Sequence, residues 1–530
     1  MDLRNLSLRE KVFQCMILRP KKLKKIGTLE EYFEKYPIGG LYFAKGPVRD
    51  LAEMKPGESC TTNEFIARCR KAAKYPLLVC ADGANIGNDG MPAVSQDALG
   101  AAQNSKKLAY DYGKSMGMQM NANDVDWLLG PCLDLAINKH CNTISGTMSD
   151  DGEYTAEVGV EIIRGVQDQN VAATIKHFPG VGTYHINAHD APSKNTMDMD
   201  TWRNTYGRVY KAAFDAGVMC LMTTHMSLES YSTNIDYPGF GYPIATYNKD
   251  INLKLIKGEL GFQGVIVTDA ITMGGCGTED GIADGVAAFA CGADILLWPE
   301  EEVGDRIVEE IEKGNIPMSR LDDAIERIQR LRERLGMDKG YRIKEEVDPE
   351  FVDNTMKTIV TEGITLLRNE LGNIPLDVNR KKVAVIPVTI KSNPSEREPI
   401  FASAKIFSDI LREAGFDSDV YDESRARAWD QINAKIVHKP FDYLIHLYDL
   451  PFPLNMGGSW STQLMPMAKK AGISFSSPYL FEDYFAREKT YVQMNCGLNE
   501  HSAKAAAYAV LGKTEMVGKM AIKLHGLESL

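Results

Sequence analysis

The chain has 530 residues, with 60 basic and 72 acidic side chains, and its formal net charge is −12. Apolar residues make up 44% and charged residues 25% of the sequence, which excludes a disordered chain and a small disulfide-stapled domain. The acidic excess argues against a broad surface for nucleic acids or anionic membranes, because both require an excess of Lys and Arg. This length predicts roughly two to four domains, or one large barrel with a companion.

The N-terminal segment lacks the apolar core of a secretory signal. The apolar stretch 285–299 is short and is interrupted by Asp294, so it does not predict a membrane span. The apolar spacing over residues 8–16 predicts a short amphipathic helix. The ten cysteines form no CxxC pair, and several lie in apolar runs. We therefore expect buried thiols in a cytoplasmic protein.

Seven short apolar runs alternate with longer amphipathic segments in the first part of the chain. Nearly continuous hydrophobicity is typical of strands that are buried on both faces of a parallel sheet. Such repeated units form either a barrel or a doubly wound sheet. Polar residues follow five or more of these runs, which fits the carboxyl rim of a barrel better, so we predict a (β/α)8-like TIM barrel whose eighth strand is weak or missing. The runs are 38–43, 75–82, 127–135, 171–178, 218–225, 264–269 and 293–299, and the polar residues include Asp82, Asp134, Lys176, His177, His225 and Asp269.

The barrel is predicted to end with a helix that Ser319 caps and Gly336 terminates, so the first domain covers 1–336. Residues 337–380 read as a linker. Residues 381–530 alternate strands and helices, which predicts a smaller α/β/α sandwich. This second domain has neither a GxGxxG nor a Walker A motif, and no nucleotide or other cofactor is predicted.

The segment KHFPGVGTYHINAHDAP (176–192) contains three histidines after a buried strand. Lys176 and His177 can donate hydrogen bonds to hydroxyls at the strand end, and His189 can act as a proton donor from the loop. Solvated loop histidines without a role are the alternative interpretation. His185 and His189 are also a conceivable metal pair, but no Cys or carboxylate pattern completes a ligand set, so no metal site is predicted.

The segment GFQGVIVTDAITMGG (261–275) places Asp269 at the end of another buried strand, with Met273 shortly after it. A single carboxylate in this position can be a nucleophile, a base or a ligand-binding group. A helix N-cap is the structural alternative for Asp269.

Together, KHFPGxG with a following loop histidine and GFxGVxxTDxxxM resemble glycoside hydrolase family 3, and within it the bacterial NagZ-type β-N-acetylglucosaminidases. The blocks LREKVFQCMI, PLLVCAD, LLGPCLDL, ITLLRNELGNIPL and KTEMVGKMAIKL follow in the order of that family. The resemblance covers nearly the whole chain. It implies a retaining, exo-acting β-glycosidase that acts on a small carbohydrate, such as a cell-wall fragment, without a cofactor.

The resemblance also implies residue roles. Asp269 would be the nucleophile and His189 the general acid/base, since retaining cleavage needs a carboxylate near the anomeric carbon and a proton donor at the leaving oxygen. The sugar-binding residues would be Asp82, Asp134, Lys176, His177 and Met273.

The sequence departs from the family pattern at several positions. Asn187 stands where the subgroup has the Asp that pairs with the acid/base histidine, and Asp190 is the alternative partner. Val181 replaces the second histidine of KHFPGHG, and Asp82 is followed by Gly-Ala-Asn instead of the residues of DQEGG. The stretch 144–151 lacks the sugar-binding arginine.

These departures leave two further functions open. A phosphorylase is one, because the neutral Asn187 removes a negative charge that would repel phosphate. A catalytically lapsed sugar-binding protein is the other, although Asp269 is retained. The loop 448–462, with Trp460, is a candidate contribution from the second domain, but it contains no Glu, so His189 is preferred. The exact sugar and the oligomeric state stay open.

Overall fold

The protein is described here from a computed structural model. It contains two compact units: residues 1–93, 109–143 and 151–352 form the first, and residues 94–108, 144–150 and 353–530 form the second. The domain limits 1–336 and 381–530 stay a prediction. The structure describes residues 1–19, 27–43, 48–49, 59–83, 94–141, 146–231, 243–276, 280–342, 344–389, 391, 393–421, 441–450, 469–485 and 488–524.

Eight parallel strands form the sheet of the first unit, in the order β7-β6-β5-β4-β3-β2-β1-β8. A parallel bridge between Val267 and Ile295 joins its two ends, so the sheet closes into a barrel. The predicted barrel fold is confirmed. The strands are β1 (Met16–Leu18), β2 (Gly40–Tyr42), β3 (Leu78–Ala81), β4 (Trp127–Leu128), β5 (Ala172–Phe178), β6 (Cys220–Thr223), β7 (Val265–Thr268) and β8 (Leu296–Leu297).

The eighth strand, expected to be weak or missing, is present as β1. A capping box of Ser7 and Glu10 starts the preceding helix, which ends at Gln14. Met16–Leu18 is fully buried and pairs with strands on both sides. The prediction of a helix that continues through Met16 was therefore wrong, because a buried strand of three residues is too short to show its own period.

The helices of the first unit alternate with the barrel strands in sequence, with one helix before β1 and two after β8. The last begins at Met318 rather than after a Ser319 cap, and Gly336 ends it with a left-handed φ of 74°. The helices are Leu8–Gln14, Leu29–Lys35, Thr62–Ala72, Ser105–Ala122 (mostly in this unit), Gly152–Gln167, Met199–Asn204, Tyr206–Asp215, the π-helix Asp250–Glu259, Gly281–Ala290, Glu302–Glu312 and Met318–Arg334.

A buried ion-pair network supports the closure of the barrel. Asp294 is fully buried just before β8, and its carboxylate accepts the N–H of Ile266 in β7 at 2.9 Å. The same carboxylate pairs with Lys257 at 2.8 Å and Arg320 at 2.5 Å. A buried carboxylate is tolerated when it is paired and hydrogen-bonded in this way. Asp294 thus links β7, β8 and two outer helices.

The second unit contains a six-stranded sheet in the order β9-β14-β13-β12-β10-β11, with β9 antiparallel to β14 and the other pairs parallel. The smaller α/β domain is confirmed, and β9 comes from the segment read as a linker. Trp460 and the rest of 451–462 lie outside the described residues. The elements are β9 (Thr365–Asn369), β10 (Lys382–Val388), β11 (Asp417–Val420), β12 (Tyr443–Tyr448), β13 (Lys469–Ser474) and β14 (Thr490–Gln493), with helices Gln96–Ala101, Pro349–Glu362, Pro394–Glu413 and Glu500–Val510.

The cysteines are buried in the manner that their apolar surroundings predict. None of the ten forms a disulfide, and eight of them are buried. Among the described helices, none is both long enough and apolar enough to cross a membrane.

We expect Asp294→Asn to lower the midpoint of thermal unfolding by several degrees. The substitution removes the charge that pairs with Lys257 and Arg320, and breaking a buried ion pair costs about 3–5 kcal/mol. Circular dichroism or calorimetry measures the midpoint. Asp200→Asn is the matched control, because the Asp200 side chain is 95% exposed. Equal midpoints for the two variants would contradict a stabilising role for the network.

Candidate active site

Four of the predicted site residues lie at the carboxyl rim of the barrel. Asp82 follows β3, Lys176 and His177 lie near the end of β5, and Asp269 follows β7. Because all eight strands are parallel, these strand ends lie on one side of the barrel. The closure of the sheet therefore brings residues from distant segments of the sequence together.

Asp82 and Lys176 form a close ion pair, with 2.5 Å between Oδ1 and Nζ. Tyr42, at the end of β2, donates its hydroxyl hydrogen bond to the other oxygen of Asp82 at 2.9 Å. Burial acts to lower the pKa of Lys176, but the charge of Asp82 and their hydrogen bond outweigh it, and the pKa lies above its usual value. Lys176 is thus a charged donor held in a fixed position.

Asp134 is fully buried and organises the turn after β5. Its Oδ1 accepts the backbone N–H groups of His177 at 3.1 Å and Val181 at 2.8 Å. Its Oδ2 lies 2.6 Å from Nδ1 of His177. Because the carboxylate accepts, Nδ1 carries the proton, and Nε2 of His177 is the ring nitrogen that can meet a ligand.

Asp269 is half-buried, and both of its oxygens accept hydrogen bonds from nearby groups. Thr224 donates its hydroxyl to Oδ2 at 2.8 Å, and the Ala270 N–H donates to Oδ1 at 2.9 Å. Burial acts to raise the pKa of Asp269, but His177 and these two hydrogen bonds lower it by more, so the pKa lies below its usual value. The carboxylate is therefore ionised at neutral pH.

His225 lies behind Asp269 and is fully buried. Its Nε2 lies 3.0 Å from the Ala270 carbonyl, and its Nδ1 lies 2.8 Å from the Thr246 hydroxyl. A carbonyl only accepts, so Nε2 donates and Nδ1 accepts from Thr246. Burial lowers the pKa of His225, so the ring stays neutral and fixes the main chain next to Asp269.

The loop that carries His189, residues 180–191, is here termed the histidine loop. Nδ1 of His189 donates to Oδ1 of Asn187 at 2.9 Å, and the His189 N–H donates to the same oxygen at 2.9 Å. Among the described residues, no hydrogen bond joins Asp190 to the His189 ring. The neutral Asn187 is thus the partner that orients this exposed ring.

The segment that follows β7, residues 269–276, is here termed the aspartate loop. Met273, a predicted sugar-binding residue, is half-buried within it, and its N–H donates to the Ala270 carbonyl at 3.0 Å. Gly274 and Gly275 donate their N–H groups to the carbonyls of His189 and Ala188. The two loops therefore meet through their main chains.

Cys132, Asp134 and His177 are the described site residues with metal-ligand chemistry. One potential ligand atom from each lies within 4.8 Å of the others. The Oδ2 of Asp134 already accepts from His177 at 2.6 Å and from the Cys132 thiol at 3.3 Å. Burial raises the pKa of Cys132, so the thiol keeps its proton. A metal ion would have to displace these hydrogens.

His185 is exposed, and its ring lies 4.6 Å from that of Tyr184.

Sequence reasoning missed the hydroxyl groups of Tyr42 and Thr224. Both residues lie at the ends of barrel strands, which is the signal by which they could have been found. Two of the segments that depart from the family pattern are only partly described. Residues 84–93, after Asp82, and residues 142–145 lie outside the described part of the chain.

Residues 7–331 match the family model described as "Glycosyl hydrolase family 3 N terminal domain". This chain belongs to glycosyl hydrolase family 3. The match covers more than half of the chain and most of the barrel unit. The predicted family and the predicted enzyme class, a glycoside hydrolase, are confirmed.

Relatives of this family 3 protein carry several names. A Cellulomonas fimi protein named "Beta-N-acetylglucosaminidase/beta-glucosidase" is 29% identical over 409 residues, which cover 74% of this chain and 71% of that protein. The structure named "Beta-glucoside phosphorylase BglX bound to 2FGlc" has a TM-score of 0.82 at 23% identity and covers 99% of this chain and 95% of its own. A family 3 β-N-acetylglucosaminidase from Paenibacillus sp. str. FPU-7 has a TM-score of 0.79 at 22% identity, with coverage of 98% and 99%. At these identities, the two structures establish the fold alone.

We expect Thr224→Val to move the acid limb of the kcat/KM profile to higher pH. The Thr224 hydroxyl stabilises the ionised form of Asp269, so its removal raises the pKa of that carboxyl and activity is lost at a higher pH. The pH dependence of kcat/KM for an aryl glycoside measures the limb.

The matched control for Thr224→Val is Thr223→Val. Thr223 is the neighbouring residue, and among the described residues its buried hydroxyl has no hydrogen-bond partner. We expect the control to leave the acid limb in place. An acid limb that is unchanged in Thr224→Val would contradict the assignment of this limb to Asp269.

Proposed function

We propose that this family 3 glycoside hydrolase is an exo-acting, retaining β-N-acetylglucosaminidase. The observation that carries the proposal is the ionised Asp269 at the barrel rim, joined through main-chain hydrogen bonds to the loop of His189. Retaining cleavage requires this pair of functions, a carboxylate nucleophile and a proton donor. Asp269 supplies the first and His189 the second.

In the first step, the Asp269 carboxylate attacks the anomeric carbon while the bond to the leaving oxygen breaks. His189 in its protonated form gives its Nε2 proton to that oxygen, and a covalent glycosyl-enzyme forms. Hydrogen bonds from Thr224 and Ala270 keep the nucleophile charged and oriented. Nδ1 of His189 donates to Asn187, which directs Nε2 away from that amide.

In the second step, the neutral His189 accepts a proton from water as the water attacks the anomeric carbon. The bond to Asp269 then breaks and the sugar leaves with its original configuration. Lys176 is the donor for sugar hydroxyls, and Asp82 beside it and the Nε2 of His177, whose ring proton lies on Nδ1, are acceptors. These fixed charges favour a single terminal sugar, in keeping with exo cleavage.

The choice of N-acetylglucosamine rests on the relatives. The Cellulomonas fimi protein is named for activity on both N-acetylglucosaminides and glucosides, and the Paenibacillus structure is named for β-N-acetylglucosaminides. A β-linked cell-wall fragment is a natural substrate of this type. The cytoplasmic location and the sugar-binding role of Met273 stay predictions.

We expect wild type to release nitrophenol from 4-nitrophenyl β-N-acetylglucosaminide and Asp269→Ala to lose this activity, since the variant cannot form the glycosyl-enzyme. The loss should be on the order of 10⁴-fold or more in kcat. The same assay with the β-N-acetylgalactosaminide, β-glucoside, β-xyloside and β-glucosaminide identifies the preferred sugar.

The melting temperature of Asp269→Ala serves as the control for folding. A folded variant with the wild-type rate would exclude Asp269 as the nucleophile. A preference for the glucoside would keep the mechanism and replace the proposed sugar. Binding of a monosaccharide with no turnover of any glycoside would favour the lapsed sugar-binding protein.

A second candidate function is that of a glycoside phosphorylase, in which phosphate replaces water in the second step. The neutral Asn187 beside His189 favours it, because a carboxylate at this position would repel the incoming phosphate. In this case the product is a sugar phosphate, and the proton that His189 removes comes from the phosphate.

We expect Asn187→Asp to distinguish the two acceptors. If phosphate is the acceptor, added phosphate accelerates wild type and yields a sugar phosphate, and Asn187→Asp weakens this response through charge repulsion. If water is the acceptor, phosphate changes neither the rate nor the product. Phosphate titration of kcat, with detection of the sugar product, measures both. His189→Ala, assayed in parallel, is the control for loss of the acid/base itself.

A further inference from the structure

The histidine loop and the aspartate loop are joined by a pair of main-chain hydrogen bonds. The N–H of Gly274 donates to the carbonyl of His189 at 2.8 Å, and the N–H of Gly275 donates to the carbonyl of Ala188 at 3.0 Å. One of the two acceptors therefore belongs to His189 itself. Both donors come from the segment that begins at Asp269.

The contact depends on the absence of side chains on the two glycines. A Cβ on Gly275 would lie 2.1 Å from the Ala188 oxygen and 2.8 Å from Cβ of His225, and a Cβ on Gly274 would lie 2.5 Å from the Asp190 oxygen. Neither glycine has a left-handed φ, so the requirement is for close approach and not for an unusual backbone conformation.

Other contacts hold the two flanks of the histidine loop. The Asn195 amide donates to the Gly180 carbonyl at 2.8 Å, and the Ser193 hydroxyl donates to the Ile186 carbonyl at 2.7 Å. The Ser193 N–H in turn donates to the His225 carbonyl at 3.0 Å. The glycine pair adds the attachment at the part of the loop that carries His189.

We propose that Gly274 and Gly275 are positioning residues that set His189 at a fixed place relative to Asp269. This inference rests on the proposed function, in which His189 protonates the leaving oxygen. The two loops share a main-chain contact, so the proton donor and the nucleophile are positioned by one structure. Displacement of the His189 carbonyl would move its ring, and a misplacement of about 1 Å can cost on the order of 100-fold in rate.

The positioning role of the two glycines predicts a loss of kcat/KM whose size depends on the leaving group of the substrate. A phenolate is basic and needs the proton of His189 as its bond breaks, whereas 2,4-dinitrophenolate leaves without protonation. kcat/KM reports the first step, in which the leaving group departs. A variant that only displaces the proton donor should therefore retain activity on the dinitrophenyl glycoside.

The test compares phenyl and 2,4-dinitrophenyl β-glycosides of the sugar that the wild type prefers. We expect Gly275→Ala to lower kcat/KM by about 10–100-fold for the phenyl glycoside and by less than about 3-fold for the dinitrophenyl glycoside. Gly274 is exposed, and we expect Gly274→Ala to show a smaller loss of kcat/KM that is again larger for the phenyl glycoside. This variant replaces Gly275→Ala in the test if Gly275→Ala does not fold. Gly281→Ala is the matched control, because a Cβ there meets no atom of the described residues within 4 Å.

A double-mutant cycle separates positioning of His189 from a general structural effect. In a His189→Ala background no proton donor remains to be displaced, so adding Gly275→Ala should change kcat/KM for the phenyl glycoside by less than about 2-fold. Hydrogen exchange of the peptide over 180–191 should be faster in Gly275→Ala than in Gly281→Ala, since the loop has lost its attachment.

The outcomes distinguish a failure of His189 as the acid from a failure of the two glycines as positioning residues. If His189→Ala loses equal activity on both glycosides, the proposed role of His189 as the acid is overturned, and the positioning role falls with it. The other outcome is that His189→Ala loses more activity on the phenyl glycoside than on the dinitrophenyl glycoside. If both glycine variants then lower kcat/KM equally for the two glycosides, or leave it unchanged, the positioning role alone is overturned. Additive losses in the cycle would also overturn it.

Discussion

The closure of the parallel barrel is the constraint on which the rest of the molecule depends. Parallel pairing sends every strand end to the same rim, and the bridge between Val267 and Ile295 makes that rim continuous. Asp294 supports this closure from within, since its buried charge connects β7 and β8 with Lys257 and Arg320. The strand that presents Asp269 is therefore held at the seam of the barrel.

Three carboxylates of the rim acquire different properties from their partners. Asp82 is neutralised by Lys176 and holds it as a charged donor. Asp134 is buried under backbone N–H groups and the ring of His177, so it serves as a structural acceptor. Asp269 receives hydrogen bonds that keep it ionised while it stays partly accessible. Environment, and not residue type, thus selects the candidate nucleophile.

The candidate proton donor belongs to a different loop from the nucleophile, and an amide orients its ring. Asn187 fixes the direction of His189 through two hydrogen bonds but adds no negative charge. That neutrality bears on the choice between water and phosphate as the acceptor. Since Gly274 and Gly275 bring the two loops into main-chain contact, the chemistry of one loop is tied to the geometry of the other.

The sequence by itself determined the barrel, the companion α/β unit and the strand ends that bear Asp82, Lys176 and Asp269, because apolar period and turn residues are local signals. It missed β1, whose three buried residues are too few to show a period. Only the tertiary structure decided which hydroxyls and amides serve each carboxylate, and that Asn187 and not Asp190 contacts the histidine ring. Such contacts join residues far apart in the chain or depend on the path of one loop. Their formation is governed by three-dimensional packing, which no local pattern of residues encodes.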